Sequence, residues 1–439
     1  MKFDLLIKNG KIVFNNEIII GTIAITKGII SALLKDDYGI KARQIIDAKG
    51  NYVLPGLIDI NIHMRVPGLE HKEDFTTGTS AAAAGGVTTI LDMPNTNPPT
   101  TTLDLLSKKK ELVKGKSVVD YAFHFNGSIN NIEQLKFLEK VPSVKFFTAG
   151  HETTPTTVTD IGILMKAFEI LSNKGIKVMI HAENQNLINA RMEKYKHRND
   201  FKAYSEVRND TVCETAVSEM ICLAKETDCH IHICHVSTAK EIAVIKRAKA
   251  EGVNITCEAV PYHLFLTFND CEKLGSYSKV SPALKSPEDQ DALWKAISDG
   301  TIDCITSEHT PHTIEEKNNM VWKAPAGCPG VQEMLPLLVN KGMSLISIAQ
   351  LCAENPAKIF GLNSKGKIQI GYHADLVIIN PKSEWIVKKE DLLSKCGWSN
   401  YEGWKLKGRP ITTILRGEII YEDGQVNKPY IGQWAFYDG

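Results

Sequence analysis

The sequence predicts an α/β chain, a (β/α)8 TIM-like barrel with a small β-sandwich domain built from both chain termini. Three observations carry that expectation. Between about Pro55 and Gly361, eight apolar runs alternate with amphipathic stretches, the alternation that gives parallel strands with crossover helices. Short β-like pieces broken by Gly, Asn and Lys-Gly turns occur before and after that region. Histidines and other polar residues fall at the C-terminal ends of the apolar runs, the rim where such barrels build active sites.

The first 50 residues read LLIKNG, KIVFN, EIIIGTIAIT, IISALL and QIIDA, with no helical period. The same texture returns in KGKIQIGYHADLVIIN from Lys365 and ITTILRGEIIYEDGQV from Ile411. Residues 1–53 and 363–439 are therefore expected to form the sandwich and a tail, and 54–362 the barrel. The eight candidate barrel strands are GLIDINIH, VTTILDMPN, VVDYAFHFN, SVKFFTAG, IKVMIHAEN, HIHICHVS, VNITCEAVPYH and IDCITSEHTPH. Between them, FTTGTSAAAAGG reads as a helix stopped by Gly85 and Gly86, and DTVCETAVSEMICLAKET has apolar residues at helical spacing.

Composition excludes several function classes. Lys plus Arg and Asp plus Glu are both 51, so no overall field recruits nucleic acid or a membrane surface, and a small-molecule substrate is expected. The ten cysteines include no CxxC pair, and Cys222, Cys234, Cys257 and Cys304 lie in apolar runs, where reduced thiols behave as small hydrophobes. The start, MKFDLLIKNGKIVFNNE, lacks the apolar core of a signal peptide, and no run reaches the roughly 18 apolar residues of a membrane span. A cytoplasmic chain is expected.

Three imidazoles end equivalent strands: His63, His181 and His235. Any one of them alone reads as a loop histidine, but three together are what a zinc-like ion requires. His230 and His232 alternate with the apolar positions of their strand and are expected to be structural. Lys145 lies in a run buried on both faces, where a bare ammonium is costly. Either it snorkels, or its neutral amine captures carbon dioxide as a carbamate that bridges two metal ions. Glu308 ends the eighth run and is the candidate general base and acid, taking a proton from a metal-activated hydroxide and passing it to a leaving amide nitrogen. His309 is expected to point away and His312 to reach substrate. Arg65 and Asn95 together suit a substrate carboxylate, which arginine grips in a bidentate fashion.

PGLIDINIHMRVPG with its sequel MPNTNPPTT, SVKFFTAG, HAEN, HVSTAKE, and SEHTPHTIEEK followed by KAPAGCPGVQ make the chain resemble dihydroorotases of the cyclic amidohydrolase superfamily over nearly its whole length. NPAKIFGL, GYHADLVIIN and SKCGWSNYEG fit as well. The resemblance implies reversible hydrolysis of L-dihydroorotate to N-carbamoyl-L-aspartate, a step of pyrimidine biosynthesis. It implies one or two Zn2+ ions, a binuclear centre being favoured, held by His63, carboxylated Lys145, His181, His235 and Glu308, with substrate held by Arg65, Asn95 and His312. A homodimer or other homo-oligomer is expected.

Two positions depart from the family pattern. Asn61 stands where the first histidine is usual, so it is a doubtful ligand, because an amide oxygen binds zinc more weakly than imidazole. Glu308 stands where aspartate is usual and adds about 1.5 Å of reach. That reach either replaces the coordination lost at Asn61 or misaligns the base. Alternatives are a hydantoinase-like, dihydropyrimidinase-like or allantoinase-like ring specificity, or a catalytically silent scaffold.

Overall fold

The computed structural model describes residues 3–35, 39–151, 154, 156–427 and 430–436. The segment HETTPTTVTD after the fourth apolar run, whose threonine and proline content predicts a mobile loop, includes Glu152, Thr153 and Pro155, which lie outside the described residues.

Each of the eight apolar runs forms a barrel strand. In order they are Leu57–Ile62, Val87–Asp92, Asp120–Phe123 continuing into Phe125–Asn126, Ser143–Phe147, Lys177–His181, Ile231–Ile233, Ile255–Ala259 and Cys304–Ile305. Neighbours pair in parallel. The ring closes where His63 N donates to His309 O at 2.9 Å and Ile62 bridges His309 in parallel. Nearly every strand residue is buried, as expected of a parallel sheet whose outer face is covered by helices. His124 interrupts the third strand and fastens it to both sides, with ring nitrogens 3.0 Å from Ile60 O and 2.7 Å from Ser143 Oγ.

The outer helices begin where short polar residues cap them. Asp74, Thr102, Asp160, Asn184, Asn209, Thr238 and Ser286 each accept a backbone N–H from the first turn, each cap contributing about 1 kcal/mol. The stretch with two glycines forms the helix Phe75–Ala84 with Gly85 at its cap. The amphipathic stretch forms Asp210–Thr227. Cys222 corrects one expectation: it lies on the outward face of this helix and is exposed, whereas the other nine thiols are buried, all ten being free.

The termini do pair, their strands joining into one hydrogen-bonded sheet. Nine strands join, in the order Gln425–Val426, Glu418–Glu422, Pro410–Leu415, Leu376–Ile379, Tyr52–Pro55, Phe3–Val13, Ile18–Thr26 and Ile29–Leu34, with Ala42–Asp47 branching off Phe3–Val13. The branch arises because one half of Phe3–Val13 pairs with Ala42–Asp47 and the other half with Tyr52–Pro55. Leu5, Ile7, Ile23, Ile25, Val53, Leu376, Ile378 and Ile414 form the apolar cluster of this sheet.

A buried ionic knot ties the sheet to the barrel. Asp120, on the third barrel strand, accepts from Lys365 Nζ at 2.7 Å and from the Arg416 guanidinium, and Lys365 also reaches Asp375 at 2.6 Å. The tail joins in: Gln433 N donates to Asp120 Oδ1 at 2.8 Å, and Trp434 bridges Tyr121.

Candidate active site

A small cavity opens at the C-terminal rim of the barrel. Its lining includes Asn61, His63, Lys145, His181, His235 and Glu308, so strand ends as far apart in sequence as 61 and 308 converge as expected. Arg65, Asn95 and His312 stand one layer behind that wall. His63 Nδ1 donates to Asn95 Oδ1 at 2.8 Å. Arg65 Nη2 lies 3.1 Å from His312 Nε2, and that nitrogen is also 3.1 Å from the carbonyl of Ala326, a wall residue.

Backbone strain marks the same rim. Among the described non-glycine residues with left-handed φ, only Arg65 (63°), His235 (36°) and Glu308 (43°) are buried; the others are exposed or half-buried. Such a conformation costs on the order of 1–3 kcal/mol and persists where surrounding structure enforces it, commonly at functional sites.

The environment of the three histidines favours their neutral form. Burial above all lowers the pKa of His63, His181 and His235, the neighbouring Lys145 adding to it. His181 Nε2 donates to Glu183 Oε2 at 2.7 Å, which leaves Nδ1 with the lone pair facing His235 Nε2 at 3.0 Å. Glu183 is anchored in turn by the Arg208 guanidinium and by Ser281 Oγ at 3.1 Å. Burial alone would raise its pKa, but Arg208 and His181 outweigh burial and hold the carboxyl well below the usual range.

Glu308 is the opposite case, since burial pushes its carboxyl well above the usual range. Its Oε1 lies 3.6 Å from His235 Nε2, and its Oε2 accepts from the phenol of Tyr262. Asn61 turns its amide elsewhere: Nδ2 donates to Glu258 Oε1 at 2.5 Å, and the buried Oδ1 has no partner. Glu258 is held by His232 Nε2 at 3.0 Å and by His235 N at 3.2 Å, so His232 is structural as expected. Lys145 donates to Cys234 Sγ at 2.7 Å. His309 points away, its ring lying 3.3 Å from Glu73 Oε2 and accepting from Gly330 N at 3.2 Å.

Several wall and support residues carried no role in the sequence reading. Tyr262, His151 and Ser281 line the cavity. Tyr262 and His151 follow strand ends, so the positional rule that singled out His63 could have found them. Lys317, within SEHTPHTIEEK, grips the carbonyls of Lys279, Pro325 and Gly327 at 3.0–3.1 Å, holding the Ala326–Gly327 wall in place. Gly327 has φ 137°, and an added Cβ would sit 2.7 Å from Thr310 O.

The donor set fits a divalent cation. Two neutral imidazole nitrogens face each other, a carboxylate oxygen lies near one of them, and the buried oxygen of Asn61 has no partner. Among the described residues, the only trio of His, Cys, Asp or Glu donor atoms lying mutually within 4.8 Å is elsewhere, at Asp120, His373 and Asp375. That trio is not a metal site on physical grounds: Lys365 and Arg416 already neutralise its two carboxylates.

Residues 52–420 match the amidohydrolase family. The dihydroorotase of Methanothermobacter thermautotrophicus is 37% identical over 391 residues, 88% of each chain, and an allantoinase of Escherichia coli is 34% identical over 437 residues, 96% of each. An L-hydantoinase (dihydropyrimidinase) from Arthrobacter aurescens superposes with a TM-score of 0.96 at 30% identity, covering 99% of this chain and 100% of its own. The fold and the rim define a metal-dependent cyclic amidohydrolase. The chain belongs to the amidohydrolase family, and its relatives include enzymes named for three different rings.

Proposed function

We propose that the protein catalyses the reversible hydrolysis of L-dihydroorotate to N-carbamoyl-L-aspartate. One observation carries the choice of ring: the guanidinium of Arg65. It is buried beside the metal-ligand strand end, burial lowers its pKa only to about 10, and its Nη1 has no partner. A buried cation with an uncommitted donor fits a substrate that carries a carboxylate, which dihydroorotate has and an unsubstituted hydantoin lacks. Asn95 and His312 support the same reading by flanking Arg65 and His63.

The ion, zinc in this reading, would be held by His181, His235 and Glu308, with His63 and a carboxylated Lys145 completing a second position. Bound there, it supplies Lewis-acid polarisation of an amide carbonyl and acidifies a water. The chain's own groups do the rest. Glu308, whose pKa burial raises, takes a proton from the attacking water and delivers it to the ring nitrogen as the amide bond opens. Arg65 orients the ring through its carboxylate. The pool of buried free thiols suits a reducing cytoplasm.

The deciding experiment assays purified, metal-analysed protein on dihydroorotate and carbamoyl aspartate beside hydantoin, dihydrouracil and allantoin. Turnover of the carboxylated pair with near-stoichiometric zinc supports the proposal. Turnover of uncharged rings alone would reassign the substrate, and metal-free, inert protein would make the chain a silent scaffold.

A further inference from the structure

Glu308 brings a length problem that the structure resolves on one side. With one more methylene than aspartate, its carboxylate could extend toward Asn61 or toward another partner. Asn61 is engaged by Glu258 at 2.5 Å, whereas Glu308 Oε2 accepts from the Tyr262 hydroxyl. Tyr262 stands on the short helix Pro261–Phe265 immediately after the seventh barrel strand. Its ring cannot swing freely. It is 2% exposed, packs edge-on against His263 with centroids 4.6 Å apart, and belongs to an apolar cluster with Leu266, Val280 and Trp398.

The Glu308 backbone is held as well. Its φ is 43°, and Thr310 Oγ1 donates to its carbonyl at 2.9 Å. With both ends of the side chain tied, one oxygen is committed to the phenol and the other, Oε1, is the one presented toward His235 Nε2 at 3.6 Å. An aspartate is shorter by one C–C bond, about 1.5 Å, and on this backbone could not serve both partners.

We propose that Tyr262 is a positioning residue matched to the length of Glu308, pinning Oε2 so that Oε1 is the oxygen that faces the histidine pair. The proposal rests on the reading of Glu308 as a residue of the reaction site. It makes the glutamate and the tyrosine one unit, since the phenol has no role once the side chain at 308 is too short to reach it.

The test compares wild type, Tyr262→Phe, Glu308→Asp and the double variant. It uses whichever ring amide the zinc-loaded enzyme opens, together with a crystal structure of Tyr262→Phe. Phenylalanine keeps the ring packing, so loss of the hydroxyl alone is read. With Glu308 intact, Tyr262→Phe is expected to lower kcat about tenfold, the scale of one hydrogen bond to a charged group, with KM changed less than about twofold. In the Glu308→Asp background the same change is expected to cost nothing further. Losses that multiply, a KM effect in place of a kcat effect, or an unchanged kcat would overturn the pairing. If Glu308→Asp is itself too slow to measure, the crystal structure decides: Glu308 should leave its position against His235, and a carboxylate that stays in place refutes the pinning. Wild-type protein inert on dihydroorotate but active on another ring would sink the substrate assignment and leave this test intact.

Discussion

His181 Nδ1 and His235 Nε2 face each other across 3.0 Å, and the far nitrogen of His181 is committed to Glu183. Two buried, neutral imidazoles aimed at one point are poorly explained by packing, because each keeps a polar atom out of water for a single shared contact. The arrangement is economical when a cation sits between them. Changing either histidine to Ala is expected to reduce the zinc-to-protein ratio sharply, measured by elemental analysis after gel filtration. Lys145→Ala is expected to abolish both metal retention and turnover. Full activity in that variant would remove the carbamate from the mechanism.

Arg65 donates through Nε to Pro311 O at 3.1 Å and stands 3.1 Å from His312, with Nη1 left over. Lysine can replace the charge but not this fork, in which one edge binds the protein and another donor remains for the ligand. Arg65→Lys is expected to raise KM for dihydroorotate by roughly tenfold or more, the loss of one charge-assisted hydrogen bond, with a smaller change in kcat. An unchanged KM would take Arg65 out of the substrate site.

Much of this rim was legible in the chain because a strand end is a local property. An apolar run followed by a polar residue locates His63, His181, His235 and Glu308 without knowledge of their neighbours, Lys145 stands out as a charge inside an apolar run, and the barrel brings them together. What such a residue touches is not local. Cys234 meets Lys145 across 89 positions and Asn61 meets Glu258 across 197, contacts that no periodicity encodes. Arg208 is a further example: it caps the short helix Phe201–Val207 yet anchors Glu183. The terminal strands were readable as strands, but their joining into one branched sheet depends on Phe3–Val13 changing partners midway. Tyr262 sat inside a run read as strand, and its turn into a short helix is what aims the phenol at Glu308.

The knot at Asp120 predicts a stability profile with two limits. Burial opposes ionisation of Asp120, but Lys365 and Arg416 outweigh it, so the folded carboxyl titrates below its ordinary value. Its contribution is therefore complete above the unfolded value of about 3.9 and is lost as pH falls through the folded one. For Lys365 the direction reverses. Burial lowers its pKa, Asp120 and Asp375 raise it further, and the net shift is upward, so its contribution holds below about 10.4 and is lost at higher pH. Asp120→Asn leaves Asp375 as the remaining carboxylate of the knot against Lys365 and Arg416 and is expected to cost about 3–5 kcal/mol at pH 7, read from urea unfolding. The gap to wild type should narrow below about pH 4, and a gap independent of pH would contradict this origin.

Asn61 offers the most direct test of how many ions the rim holds. Its amide hydrogen is spent on Glu258, and the oxygen left over is a weak donor for zinc. The first-strand side of the centre therefore offers His63 as its one strong ligand from that strand. Asn61→His replaces the amide with an imidazole, one of whose nitrogens can keep the hydrogen bond to Glu258 while the other faces the cavity. The variant is expected to bind more zinc per chain than wild type and to release it more slowly to a chelator, followed with a chromophoric zinc indicator. If wild type already holds two ions per chain with equal resistance to chelation, the asymmetry inferred from Asn61 is wrong. Glu258 would then have to release the amide when metal binds.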